Sequence, residues 1–253
     1  VAAAAFLCAL AAPGPRTAPL PERALAVAWL KPAHFAVLFA RWVGLYRWSG
    51  EAPALLSRAD LPCHGRAVRW PGGLLAAHAA ESSLWAMTSL STHAVLLAAD
   101  GDRLAVREQA AAVPWPGSRS GLRLRPDTSL LEGDLEGVGA GPFLAVAGGD
   151  AAVGADGRLL RAGAAQEAPR VGSALARAWP GWLLASSPAP PGEPDGITLL
   201  PADGPAVSAV ILPGSVGALA ARVDGDHVVT VLAVTEGETG PRLWLAALER
   251  PRP

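Results

Sequence analysis

The side chains best able to do chemistry in this chain are five histidines, two cysteines and a few clustered acids. The histidines (His34, His64, His78, His93 and His227) are scattered one to a segment, and neither a His-Glu-x-x-His nor a Cys-x-x-Cys spacing occurs. An isolated histidine on a strand reads as structural or exposed. His64 beside Cys63 is the one adjacent pair of metal-capable side chains, and it has no companion at ligand spacing. Asp100-Gly101-Asp102 and Asp224-Gly225-Asp226 could each open a calcium loop, but neither has a third acid in register, so both read as hairpin turns. Glu132, Asp134 and Glu136 alternate, so on one strand they would share a face. A cation there is possible chemistry, but a charged edge that discourages sheet association is the simpler account. The single lysine, Lys31, follows Leu30 rather than a glycine, which excludes a Walker-type phosphate loop. Gly137–Pro142 is half of a dinucleotide fingerprint without its last glycine, and Gly117–Gly121 has its serines in the wrong places for a nucleophile elbow. The sequence therefore points to no catalytic residue, no metal and no cofactor.

Tryptophan is the one excess, with nine: Trp29, Trp42, Trp48, Trp70, Trp85, Trp115, Trp179, Trp182 and Trp244. Most are expected to fill wedges between packed sheets, with a minority on a recognition surface. Trp115, between two prolines and ahead of Ser118-Arg119-Ser120, is the candidate exposed ring. Arg119, Arg123 and Arg125 would give it a basic rim.

The elements that must position these residues are short. Trp179-Pro180-Gly181 followed by Trp182–Ser187 is a bulky anchor, a turn and an apolar run too short for a helix. Trp70–Ala76 is its closest copy, Leu212–Ala220 a looser one, and Gly141–Val146 has the strand without the tryptophan. Val68–His78 is expected to pair with Ser82–Thr88. Asp100-Gly101 between two apolar runs is the clearest hairpin, and Asp156-Gly157 and Asp224-Gly225 repeat the device. The strongest runs begin at Phe35, Gly73, Phe143, Trp182 and Gly217, with gaps of 38, 70, 39 and 35 residues. A weak unit near residue 108 would divide the long gap and give about six units of blade size. A helix over 33–48, as part of a helical N-terminal module ahead of a smaller β domain, is the rival.

On these motifs the chain resembles the broad class of β-propeller repeat proteins. The resemblance implies an all-β propeller of about six (five to seven) four-stranded blades over residues 24–250, with 1–23 as a leader or extended arm. It also implies ring closure, with Ala24–Leu30 pairing into the last blade beside Arg242–Leu248. There is no Trp-Asp or Gly-His signature of the WD40 type. The Pro-Gly openings look similar to propeller components of bacterial MoxR–von Willebrand ternary systems.

A formal net charge of −1 supplies no basic field for nucleic acid. The apolar run Val1–Ala12 is too short to span a bilayer as a helix, and its Ala9-Leu10-Ala11 looks like a signal-peptidase site. Export and a cytoplasmic location both stay open. The expected function is a non-catalytic protein-interaction scaffold or sensor whose partner is another protein. The alternative is an enzyme or carbohydrate-binding module with its site at the central channel.

Overall fold

Phe35–Phe39, Gly73–Ala77 and Phe143–Ala147 are apolar at every position, so strands made from them must bury both faces. The computed structural model describes residues 14–31, 33–64, 68–78, 82–91, 93–126, 128–163, 169–187, 190 and 194–251. The leader-like run Val1–Ala12 lies outside them.

A short strand β1 (Arg16–Pro19) comes first. Blade 1 is an antiparallel meander of β2 (Ala26–Lys31), β3 (His34–Leu38), β4 (Trp42–Ser49) and β5 (Ala52–Asp60). Blade 2 repeats it with β6 (Gly73–His78), β7 (Ser83–Thr88), β8 (Ala94–Asp100) and β9 (Arg103–Ala110). An insert of β10 (Arg123–Leu124), β11 (Leu131–Glu132) and the small hairpin β12 (Asp134–Leu135) and β13 (Gly139–Ala140) follows. Blade 3 then adds β14 (Phe143–Ala147), β15 (Ala151–Gly154) and β16 (Leu159–Arg161), giving a sheet ordered β10-β11-β14-β15-β16. Blade 4 is β17 (Leu175–Arg177), β18 (Trp182–Ser187), β19 (Gly196–Pro201) and β20 (Val207–Ile211). Blade 5 is β21 (Ser215–Val223), β22 (Val228–Gly237) and β23 (Gly240–Glu249), with β1 as its outer fourth strand.

Five buried clusters hold the ring, one at each junction between blades. Successive residues of a strand serve opposite junctions. In β3 and just beyond it, Phe35, Val37 and Phe39 pack with Val234 and Leu243 of blade 5. Ala36 and Leu38, between them, pack with Leu84 and Leu97 of blade 2. Eight of the nine tryptophans belong to these junctions or pack against them, as wedge filling predicts. The exception is Trp70.

The blades number five, within the expected five to seven. The weak unit placed near residue 108 is the end of β9, and the long gap is occupied by the insert, whose strands have two residues each. The helix weighed over 33–48 is replaced by β3 and β4, because the apolar residues alternate between two junctions rather than following a helical stripe. Closure occurs, but through a different strand from the one expected. Arg16 to Pro19 lie opposite Leu245 to Arg242, while Ala26–Lys31 is the innermost strand of blade 1. The proline-rich composition of the first segment disguised it, yet a proline is tolerated on an outer edge strand, and Ala18 and Leu20 are buried. The Trp-Pro-Gly repeat is also not a blade period. Trp70 precedes the first strand of blade 2, whereas Trp179 opens the turn between the first two strands of blade 4. The Asp-Gly turns are hairpins, with Gly101, Gly157 and Gly225 at φ values of 56°, 80° and 130°.

Truncation through Leu20 removes β1 and leaves the edge of β23 unpaired. The expected outcome is a lower thermal midpoint and association through the freed edge, read by scanning calorimetry and light scattering. A monomer with an unchanged midpoint would show that β1 does not close the ring.

Candidate functional site

Around the axis β2 contacts β6 and β21, and β17 contacts β21 and β14, while β6 and β14 share the buried cluster between blades 2 and 3. Their first residues gather on one face, around a cavity of about 390 Å³. The starts of β2, β6, β17 and β21 line the end of it that forms the mouth, and Leu144–Val146 of β14 line it as well. Trp115 also lines it, and its Nε1 donates to the carbonyl of Gly148, just past the far end of β14. Strand polarity thus puts the Trp115 ring at the deep end.

Small residues keep the axis open. A Cβ on Gly217, in a bulge of β21, would meet no heavy atom within 4 Å. Gly72 and Gly73 act in the opposite sense: a Cβ on either would lie 2.7 Å from Ser129 Cα or 2.6 Å from Leu25 Cβ. Without side chains there, the insert and the segment entering β2 can close on the start of β6. That approach fixes Trp70 on the rim, where it is 57% exposed.

The polar groups concentrate at the mouth. Arg23 Nε lies 2.9 Å from Glu236 Oε1, and both are cavity-lining residues. Asp195 Oδ2 accepts from the Val216 amide at 2.9 Å, and the buried Ser186 Oγ accepts from the Ala174 amide at 3.1 Å. The Arg23 guanidinium lies over the Trp70 ring at 4.9 Å, and Arg69 over the same ring at 5.7 Å. Among the described residues that line the cavity there is no histidine or cysteine. What the arrangement offers is binding: a hollow of mixed polar and apolar lining, a paired charge at its mouth, and a cation-flanked indole beside it.

Trp115, expected as an exposed ring, is half-buried and packs against the cluster between blades 2 and 3. Arg119 and Arg123 are exposed; Arg125 is half-buried, with its Nε 3.3 Å from Glu132 Oε1. Glu132 and Asp134 fall on different short strands separated by Gly133, so the alternating acids do not share one face. Asp134 instead accepts from the hydroxyls of Ser120 and Ser118, and the Ser120 bond chiefly holds its carboxyl below the usual range. The exposed indole is Trp70, which sequence reasoning placed among the wedge fillers. The signal available was its setting, with Arg69 before it and Pro71-Gly72 after it.

The histidines do not converge on the cavity. His34 Nε2 and Asp102 Oδ1 are 2.9 Å apart and link β3 of blade 1 to the β8–β9 turn of blade 2, with Arg47 3.8 Å from the same oxygen. Among the described residues no three His, Cys, Asp or Glu side chains are grouped to hold a metal.

No family model matches the chain, and no curated protein matches it. Among solved structures it is similar to the β-propeller domain of Cps50 (Swd1) from Myceliophteria thermophila, at 10% identity and a TM-score of 0.37, over 88% of this chain and 82% of that one. It is also similar to a functionally unknown protein from Desulfotomaculum acetoxidans DSM 771, at 15% identity and a TM-score of 0.30, over 85% of this chain and 66% of that one.

Two exposed-versus-buried contrasts give measurable outcomes. In urea denaturation Trp115→Ala should cost about 2 kcal/mol, less than the roughly 3–5 of a fully buried tryptophan. Trp70→Ala should change stability by under about 0.5 kcal/mol. Equal losses would contradict their placement. The second contrast concerns Asp102, whose carboxyl is lowered first by the His34 hydrogen bond and then by the Arg47 charge against a desolvation that raises it. A lowered folded-state value stabilises above the unfolded carboxylate pKa, about 4, and that contribution is lost as pH falls through the folded value. The stability advantage of wild type over Asp102→Asn should therefore be complete above about pH 4 and shrink below it, as followed by thermal melts across pH. An advantage that grows on acidification would overturn this assignment.

Proposed function

We propose that this propeller is a non-catalytic scaffold that binds another protein on the face where its innermost strands begin. The observation that carries the reading is Trp70, exposed on a rigid rim between two guanidinium groups beside an axial cavity. Exposed tryptophan and arginine are the side chains most enriched at binding hot spots. Here their backbone is held by the close contacts of Gly72 and Gly73, so little ordering cost is left for the moment of binding. Arg119 and Arg123 belong to the insert, whose Ser129 and Leu131 wall the same cavity, and they extend the surface in this reading, while Trp115 lines the cavity from its deep end. The likeness of the Pro-Gly openings to MoxR–von Willebrand propeller components fits it too, since a disc of this kind would work between other chains. Among the described residues no helix is long and apolar enough to cross a membrane.

The alternative was an enzyme or sugar-binding site at the channel. Among the described residues the mouth includes the Arg23–Glu236 ion pair and Asp195, which accepts from a backbone amide, and the guanidiniums at Trp70 favour an anionic partner over a neutral sugar.

The test is a photo-crosslinking group placed at Ser173 on the cavity mouth, used in cells of the source organism. Wild type should capture a discrete protein partner, and Trp70→Ala should reduce that capture at least about tenfold, the effect of a hot-spot residue. Capture undiminished by Trp70→Ala would remove this face as the binding surface.

A further inference from the structure

We propose that this face recognises an uncharged, extended stretch of small residues in the partner, which enters the axial cavity and pairs through its backbone with the free edge of β21. The inference rests on the protein-binding reading above and specifies how the partner is held.

The free edges come first. β2, β6, β17 and β21 each stand at one end of their sheets, so each is hydrogen-bonded to a strand on one side only. An edge strand presents a row of N–H and C=O groups that no neighbouring strand takes up, which is a template for another backbone. The four edges are not equally open to the cavity. β21 lines it over five consecutive residues, Ser215–Leu219, whereas β6 does so over Gly73–Leu75, β2 at Ala26 and Val27, and β17 at Leu175. The side chains of this stretch of β21 are committed elsewhere: Val216 and Leu219 pack between blades 4 and 5, and Ala218 between blades 5 and 1. Gly217, which stands opposite no residue of β22 in the register, has none. A Cβ there would meet no heavy atom within 4 Å, at an ordinary backbone angle. Only the bulge type with a left-handed first residue requires a glycine, so the chain's own packing does not demand one at this position. A strand glycine of that kind marks a place where another backbone approaches closely.

The lining then decides what enters. Ser173, Ser215 and the strand edges share the walls with the hydrocarbon of Leu25, Leu144 and Trp115. A peptide of small residues carries the same mixture, an amide at every residue with little hydrocarbon between. A large apolar side chain would strip water from the polar groups without replacing its hydrogen bonds. Charge is opposed in both signs: an acidic group meets Glu236 and Asp195, and a basic one meets Arg23 and, on the rim, Arg69. Arg23 and Glu236 already compensate each other at 2.9 Å. An uncharged segment meets neither repulsion, and the β21 edge answers its amides and carbonyls in kind. Arg23 also lies over Trp70, so the hollow is continuous with the rim proposed to hold the rest of the partner.

The experiment starts with selection from a displayed random octapeptide library against the full chain, with Gly217→Leu in parallel and thermal melts as a folding control. Wild type should enrich a tract of consecutive small uncharged residues, drawn from Gly, Ala, Ser and Thr. The selected peptide is then made with blocked ends and N-methylated at alternate amides of the tract, which deletes donors and keeps every side chain. Alternate amides of a strand point to opposite sides. One methylated form should therefore bind at least about tenfold more weakly than the other, about the worth of two backbone hydrogen bonds. Gly217→Leu, whose side chain occupies the hollow, should abolish binding at an unchanged melting temperature. No enrichment by wild type, enrichment of charged or large apolar residues in place of the tract, equal binding of the two methylated forms, or binding that survives Gly217→Leu would each overturn the proposal. So would displacement of the peptide by glucose at the concentration at which the peptide displaces itself. The methylated peptides test the pairing without any substitution in the protein. The crosslinking experiment separates the two levels: a partner lost with Trp70→Ala but retained with Gly217→Leu keeps the scaffold reading and removes the inserted strand.

Discussion

Every blade in this protein is buried on both faces, and that condition governs the rest of the structure. A strand's side chains alternate in direction, so a sheet packed between two neighbours must be apolar at odd and even positions alike. Half the chain is hydrophobic for this reason. Size is distributed unevenly between junctions. Tryptophan occurs in or against the clusters between blades 1 and 5, 2 and 3, and 4 and 5. The other two junctions use leucine, valine and alanine. Polar ties supplement the packing where a junction reaches solvent. His34 meets Asp102 between blades 1 and 2, and Arg161 donates to the carbonyls of Leu200 and Pro201 between blades 3 and 4. Burial lowers the Arg161 pKa while the charge of Asp203 raises it, the burial effect being the larger. Two backbone acceptors at 2.8 and 2.9 Å compensate for that desolvation.

The axial cavity is a consequence of the same geometry. Side chains of the innermost strands are committed to the junctions on either side, so strand edges and small residues are left facing the axis. Ala26, Gly73, Ala145 and Gly217 all line it. The insert after blade 2 then changes a plain channel into a hollow with a deep end, by carrying Trp115 to the carbonyl of Gly148. Gly117, with φ at 75° and a position where a Cβ would lie only 2.7 Å from Gly149 O, allows that approach. The face at the other end is shaped by Gly72 and Gly73, which let three chain segments meet without side chains between them. Function in the proposed sense is therefore attached to positions where the blade pattern is interrupted.

The propeller itself was legible because it depends on local signals. Apolar runs of strand length, Asp-Gly dipeptides and proline-glycine breaks are properties of neighbouring residues, and they gave the class, the hairpins and the range of blade number. The phase of the repeat was not legible. Both faces of a blade are apolar, so Phe35 of a second strand and Gly73 of a first strand look alike, and counting from them mixes the two. The closing strand was hidden for a different reason: Arg16–Pro19 gains its pairing from residues 242–245, more than two hundred positions away. The site was the least visible part. Trp70 resembles the other tryptophans in the sequence, and what separates it is the absence of a blade against its ring. Trp115 was expected as an exposed ring because of its flanking prolines, but it is half-buried and lines the cavity.

The account depends on one polypeptide closing its own ring. Nuclear Overhauser contacts between Hα atoms of Arg16–Pro19 and Arg242–Leu245, recorded on a mixture of differently labelled chains, measure this directly. Cross-strand contacts in the register Arg16 with Leu245 and Pro19 with Arg242, seen only within a single chain, are the predicted result. Contacts between different chains, or none at these positions, would mean that the five blades do not form a closed disc around the cavity.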